Sequence, residues 1–112
     1  MAQRILVFWR DIPAQVIVRA GRRTARRTLS ARFQEAIDRA AMRAGLTGTD
    51  AYLAAWRRSD PEPCGEDPEA EADRLAAEIE AAYPPERLRR LVVAGGHEPM
   101  DEPPSNRETS RR

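Results

Sequence analysis

The sequence predicts a single α+β domain, with a small antiparallel sheet of about three strands and three or four helices packed on one face. Residues 5–18 concentrate apolar and β-branched side chains, whereas later segments repeat apolar residues at three- and four-residue spacing. The chain of 112 residues has the size of one domain. We assign residues 1–96 to this domain. Residues 97–112 are rich in proline and charge, which predicts a disordered tail.

The first two strands are predicted over residues 4–12 and 15–20. The run Ile5–Trp9 is almost continuously apolar, which is typical of a strand that is central in its sheet or covered on both faces. Pro13 is expected to end the first strand because proline cannot donate a ladder hydrogen bond. Val16–Val18 is a strong β-forming run.

Residues 23–29 are predicted to return as the third strand, after a turn at Gly21. Neither face of this strand is apolar, so we expect an exposed edge whose charges hinder edge-to-edge association. Strand alternation places Arg23, Ala25 and Arg27 on one face, and Thr24, Arg26 and Thr28 on the other.

The first helix is predicted to begin after Ser30, with the serine hydroxyl accepting a hydrogen bond from the backbone, and to end at Gly45. Its apolar positions are Phe33, Ala36, Ile37, Ala40, Ala41 and Ala44. Thr49 caps a short helix that turns Tyr52, Leu53 and Trp56 inward and ends near residues 57–59.

The proline, glycine and acidic residues at 59–66 predict a loop. Asp67 and Pro68 then form a strong helix start. This acidic helix extends to about residue 83, and a last short helix runs from Glu86 to the glycines at 95 and 96.

Charge is unevenly distributed along the chain. The net charge is +1, but residues 1–58 hold twelve arginines and four acidic residues, whereas residues 59–112 hold seven arginines and fourteen acidic residues. Such asymmetry indicates either a basic surface for an acidic partner or two halves that neutralise each other. All basic residues are arginine, which is typical of a GC-rich genome, so their number alone does not indicate nucleic-acid binding.

Cysteine content and hydropathy limit the function classes. Cys64 is the single cysteine, which excludes an internal disulfide and a multi-thiolate zinc site. With no signal-peptide pattern and no membrane-length apolar segment, we expect a cytoplasmic protein without a membrane partner. A nucleophilic pair of Cys64 and His97 is disfavoured because His97 begins the predicted tail. We therefore predict no catalytic residue, no metal and no cofactor.

Two sets of residues are candidates for binding. Trp9, Arg10 and Asp11 lie at a strand end and could hold a small anion or a peptide. The alternative is that Arg10 and Asp11 form a local ion pair while Trp9 packs beneath the helices. The same two interpretations apply to three residues after the short helix, Arg57, Arg58 and Asp60.

The second set is the basic hairpin. A basic ribbon can contact phosphates, or it can dock on an acidic protein. No aromatic residue interleaves with these arginines, so base recognition is unsupported. The third interpretation is a solvated face neutralised by the acidic helix at 67–83. The hairpin residues concerned are Arg19, Arg22, Arg23, Arg26 and Arg27.

Four segments resemble the bacterial virulence factor domain family over about residues 4–94. They are WRDIPAQV at 9–16, RRTA at 22–25, FQEAIDRAA at 33–41 and GTDAYL at 48–53. The resemblance implies a module that occurs alone, near folate- and cobalamin-linked methyl-transfer genes, or fused to iron–sulfur assembly scaffolds and HEAT repeats. It implies no reaction and no site residue.

The leading hypothesis is a non-enzymatic accessory protein that docks through the arginine hairpin and the strand end at Trp9, Arg10 and Asp11. A methyl-transfer or iron–sulfur assembly system is a possible client. The alternatives are a nucleic-acid-binding module that uses the hairpin, and an enzyme of unknown type.

Overall fold

The computed structural model describes residues 2–98, which fold into an antiparallel sheet of five strands with four helices. This confirms the α+β class. The elements are β1 (Ala2–Trp9), β2 (Ile12–Ala20), β3 (Arg23–Thr28), α1 (Ala31–Arg43), α2 (Asp50–Ala54), β4 (Trp56–Arg58), β5 (Glu62–Pro63), α3 (Pro68–Ala82) and α4 (Pro85–Val93).

The strand order is β3-β2-β1-β4, and β5 also pairs with β1. The prediction of about three strands was therefore too low. The two additional strands have only three and two residues, which is too short for alternation to be visible in the sequence. Trp56, predicted to lie in a helix, instead pairs with Trp9 across β4 and β1. Leu53, predicted to point inward, is 66% exposed, because α2 has only five residues and buries none of them.

An irregularity in the β1–β2 ladder corrects the prediction for Pro13. The register shifts between Val7 and Phe8, so that Val7 pairs with Gln15 and Phe8 with Pro13. Ala14 is the additional residue of this bulge. Because a bulge interrupts the regular ladder, it accommodates a proline within β2 rather than at the end of β1.

The main core joins the sheet to the helices. One face of the sheet contributes Val16, Val18 and Ala25, which belong to the same buried cluster as side chains of α3. At the hairpin tip Trp9 and Ile12 belong to this cluster together with residues of α1 and α4. The α3 residues are Ala72, Leu75 and Ile79.

The caps of the helices match the sequence in two of three cases. Asp67 accepts hydrogen bonds from the backbone of Glu69 and Ala70, and Thr49 accepts one from Tyr52, as predicted. Ser30 makes no side-chain cap. Its hydroxyl instead donates to Glu80 Oε1 at 2.9 Å, which ties the start of α1 to α3.

The predicted tail lies mostly outside the described residues, which end at Glu98. Glu98 itself donates its backbone N–H to Asp11 Oδ2 at 2.7 Å. None of the described helices has the length and apolar character needed to cross a bilayer.

Candidate interaction surface

Arg10 holds the tip of the β1–β2 hairpin in an unusual backbone conformation, with φ of 52°. Its N–H donates to Ala55 O at 3.0 Å, and its Nη1 donates to Gly95 O at 2.8 Å. The guanidinium lies 5.2 Å from the centre of the Trp9 ring. Residues other than glycine rarely adopt a positive φ, so we attribute the conformation of the tip to these contacts.

Trp9 is fully buried and serves as the apolar anchor of this region. Its Nε1 donates to Tyr52 O at 3.0 Å, so its polar atom is already satisfied. Gly96 packs on the ring so closely that an added Cβ would lie 2.8 Å from Trp9 Cζ3. Trp9 therefore presents no surface to a partner.

Asp11 connects the hairpin tip to β4 and to the end of α4. Its carboxylate accepts from Arg57 Nη2 at 3.2 Å and from the Glu98 N–H, while its own N–H donates to Gly96 O at 2.8 Å. Arg57 also donates from Nε to Arg10 O at 3.0 Å. Arg10 and Asp11 therefore do not form the local ion pair considered from the sequence. Each bonds instead to residues that are distant in the chain. We call Arg10, Asp11, Arg57, Gly96 and Glu98 the clasp.

The hairpin arginines separate according to the face on which they lie. Arg27 points toward α3, where its Nη2 contacts Glu69 Oε1 at 2.5 Å and its Nε contacts Asp73 Oδ1 at 2.6 Å. These contacts raise the pKa of Arg27 above its ordinary value, and the hydrogen bond with Glu69 contributes most. The acidic helix α3 thus neutralises the charge of Arg27, as one of the three interpretations of the hairpin predicted.

Arg26 points away from α3, because neighbouring strand residues alternate between faces. It pairs directly with Ile17 of β2, two residues from Arg19. Arg58 of β4 pairs with Val7, which lies on the same face as Ile5 and Ile17. Register thus brings Arg19, Arg26 and Arg58 onto one side of the sheet.

We call this side the arginine face. All three of its arginines are exposed, and none makes an ion pair within residues 2–98. None of the strand side chains that point to this side is acidic among the residues the structure describes. The remaining polar side chains of the arginine face are Gln3, Gln15, Thr24 and Thr28.

Two isoleucines lie at the centre of the arginine face. Ile5 is 4% exposed and Ile17 is fully buried, yet neither belongs to the cluster that packs against the helices. The aliphatic stems of long charged side chains on the same face are suited to cover such residues. The result is a broad cationic surface with an apolar base, suited to a flat anionic partner.

Arg22 and Arg23 extend the positive charge around the end of the hairpin. Both are exposed. Arg23 pairs with Ala20 at the first position of β3, on the α3 side of the sheet, and Arg22 lies in the turn beside Gly21, whose φ is 63°.

Cys64 and His97 lie at opposite ends of β1. Cys64 donates its N–H to Ala2 O, whereas Gly96, the neighbour of His97, packs on Trp9. β1 has eight residues, so its ends are roughly 23 Å apart. Burial, followed by the negative charge of Glu71, raises the pKa of the Cys64 thiol, which disfavours a reactive thiolate.

Comparison with known proteins places the chain in a family. Residues 7–92 match the sequence model of the family described as Virulence factor. The chain belongs to this family. The match includes the clasp residues Arg10, Asp11 and Arg57 and all five hairpin arginines. No curated protein and no solved structure showed significant similarity.

Proposed function

We propose that this member of the Virulence factor family is a non-enzymatic interaction protein whose arginine face docks on an acidic surface of a partner protein. The observation that carries the proposal is the contrast within one strand. Arg27 is paired with two carboxylates of α3, whereas Arg26 beside it points to a face that holds only positive charge.

Three exposed arginines on one face present positive charge that an anionic partner can neutralise while it adds new contacts. Arginine suits this role because its guanidinium binds carboxylates through two parallel hydrogen bonds. Thr24 and Thr28 add neutral hydrogen-bonding groups beside Arg26.

Trp9, Arg10 and Asp11 support this surface rather than contact the partner. Arg10 and Asp11 bond to Ala55 and Arg57, the residues that flank and form β4. They thereby hold β4 against β1 and position Arg58 on the arginine face.

The first client to test is a component of a methyl-transfer or iron–sulfur assembly system. This choice rests on the resemblance to domains that stand near, or are fused with, such systems.

Phosphate binding by nucleic acid is the second candidate. The observation in its favour is that arginine and threonine side chains, which contact phosphates, share the arginine face. None of the β2 and β3 residues on this face is aromatic, so bases that contact Arg19 and Arg26 would have no ring there to stack on, and such binding would lack base recognition.

A pull-down from native lysate tests the proposal. We expect the wild type to capture a protein partner that survives nuclease treatment, and the triple variant Arg19→Gln, Arg26→Gln, Arg58→Gln to lose it. The control Arg107→Gln, Arg111→Gln, Arg112→Gln removes the same charge and should retain the partner.

Equal capture by both triple variants would refute docking through the arginine face. Loss of capture after nuclease treatment, with a heparin affinity that falls steeply with salt, would refute the proposal and favour the hypothesis of nucleic-acid binding. In that case each arginine removed should lower the salt slope by about one.

A further inference from the structure

A second surface, formed by helices, combines exposed apolar side chains with positive charge. Among residues 2–98 the large hydrophobic side chains with the highest exposure are Met42 at 65%, Leu53 at 66% and Val93 at 65%. Met42 lies on α1 and lines a cavity together with Val92 of α4, and these two helices pack against each other. Apolar groups presented in this way commonly mark binding surfaces.

α1 and α4 run in the same direction and leave a groove between them. At one end Arg32 and Pro85 line the same cavity, and at the other Arg43 Nε donates to Val93 O at 3.3 Å. Two adjoining cavities of about 160 and 380 Å³ share Arg39 and Val92. We call this continuous depression the α1–α4 groove.

The sides of the α1–α4 groove are predominantly basic. Arg39, Arg89 and Arg90 are exposed, and their side chains make neither ion pair nor hydrogen bond in the described part of the chain. Glu35 and Glu86 are the acidic residues that line this region. The arrangement of an apolar base with arginines around it resembles a protein interface more than an ordinary solvated helix surface.

We infer that the α1–α4 groove binds an acidic amphipathic helix of a partner protein. The depression between two packed helices accepts the side-chain ridge of a third helix. Leucine-like residues on one face of that helix would cover Met42 and Val92, and its glutamates or aspartates would meet Arg39 and Arg89. The nine residues of α4 correspond to about 13 Å, or roughly two and a half turns of the bound helix.

The experiment uses the full chain and a labelled synthetic peptide of about sixteen residues. An isolated helix of this length is only marginally stable in water. Its leucines recur at three- and four-residue spacing, and the other positions are mostly glutamate. A peptide of the same composition, scrambled so that the leucines share no face, is the control. Fluorescence anisotropy measures binding.

We expect the patterned peptide to bind and the scrambled one to fail. Two double variants, Arg39→Gln with Arg89→Gln and Met42→Ser with Val92→Thr, should each weaken binding about tenfold or more. The double variant Arg107→Gln with Arg111→Gln removes the same charge near the C-terminus and should bind as the wild type. Circular dichroism verifies that every variant is folded.

Equal binding of both peptides, no binding of the patterned peptide, or loss of binding in the Arg107→Gln, Arg111→Gln variant would each overturn the inference. None of these results touches the pull-down test of the arginine face. The two proposals therefore stand or fall separately.

Discussion

The clasp and the arginine face use the same residue type in opposite ways. In the clasp, Arg10 and Arg57 bond to a carbonyl or a carboxylate, and Asp11 accepts two hydrogen bonds. On the arginine face, Arg19, Arg26 and Arg58 have no such partners among the described residues. A charged group satisfied by its own chain stabilises the fold, whereas one left without a partner remains available for binding.

The largest expected effect is the loss of the clasp's apolar anchor. Trp9→Ala should destabilise the protein by about 3–5 kcal/mol, because it empties a fully buried site and leaves Tyr52 O without its donor. Urea unfolding followed by far-ultraviolet circular dichroism measures this change. Leu53→Ala, at an exposed position, should alter stability by no more than about 0.5 kcal/mol. Similar losses for both variants would contradict the assignment.

Gly96 offers a smaller and more local way to disturb the clasp. Gly96→Ala should cost about 2 kcal/mol, because its φ is 98° and the new Cβ would clash with the Trp9 ring. Gly21→Ala is the matched control, since its φ is 63° and nothing lies within 4 Å of the added Cβ. It should show only the backbone cost of about 1 kcal/mol. If Gly21→Ala costs as much, the contact with Trp9 contributes nothing.

The contact between α1 and α3 should depend on pH. Burial acts to raise the pKa of Glu80, but hydrogen bonds from Ser30 and Arg32 outweigh it and lower the pKa below its ordinary value of 4.5. The stabilisation that ionised Glu80 gives to the folded state is therefore complete above pH 4.5. It is lost as the pH falls through the pKa of Glu80 in the folded state.

Glu80→Gln should lower stability by about 1 kcal/mol at pH 7, a value reduced for partial exposure. The difference from wild type should shrink as the pH falls below 4.5, and thermal unfolding across this range measures it. Glu78→Gln, at an exposed i,i+4 pair with Arg74, is the control and should change stability by no more than about 0.5 kcal/mol. A deficit of Glu80→Gln that stays constant with pH would refute the mechanism.

The smallest stability effect is expected on the arginine face. Arg26→Gln should change the free energy of unfolding by no more than about 0.5 kcal/mol, because Arg26 makes no described ion pair and glutamine keeps part of the stem over Ile17. Chemical unfolding beside the wild type checks this. A loss of more than 1 kcal/mol would mean that Arg26 serves the fold rather than a partner.

Local pattern in the sequence was sufficient for the main elements. Alternation and β-branched runs predicted β1 and β2, and cap residues such as Asp67 and Thr49 predicted two helix starts. It was not sufficient for β4 and β5, because strands of two or three residues contain no measurable period. Their position depends on pairing with β1 more than 40 residues away, which no local pattern encodes.

The candidate surface was predictable from the sequence only where it depends on local pattern. Alternation in the sequence separated Arg26 from Arg27, and the acidic composition of α3 indicated a partner for one of them. The addition of Arg58 to the arginine face required the register of Val7 with β4. The partners of Asp11 were also invisible, since Arg57 and Glu98 lie 46 and 87 residues away.

The pairing of Trp9 with Trp56 gives the protein an optical reporter at one end of the sheet. These are the chain's two tryptophans, one fully buried and one half-buried, and Tyr52 packs near both rings. Intrinsic fluorescence therefore records the environment of the clasp. Opening of this corner should shift the emission to longer wavelength, while occupation of Arg19 and Arg26 at the far end of the ladder should leave it unchanged.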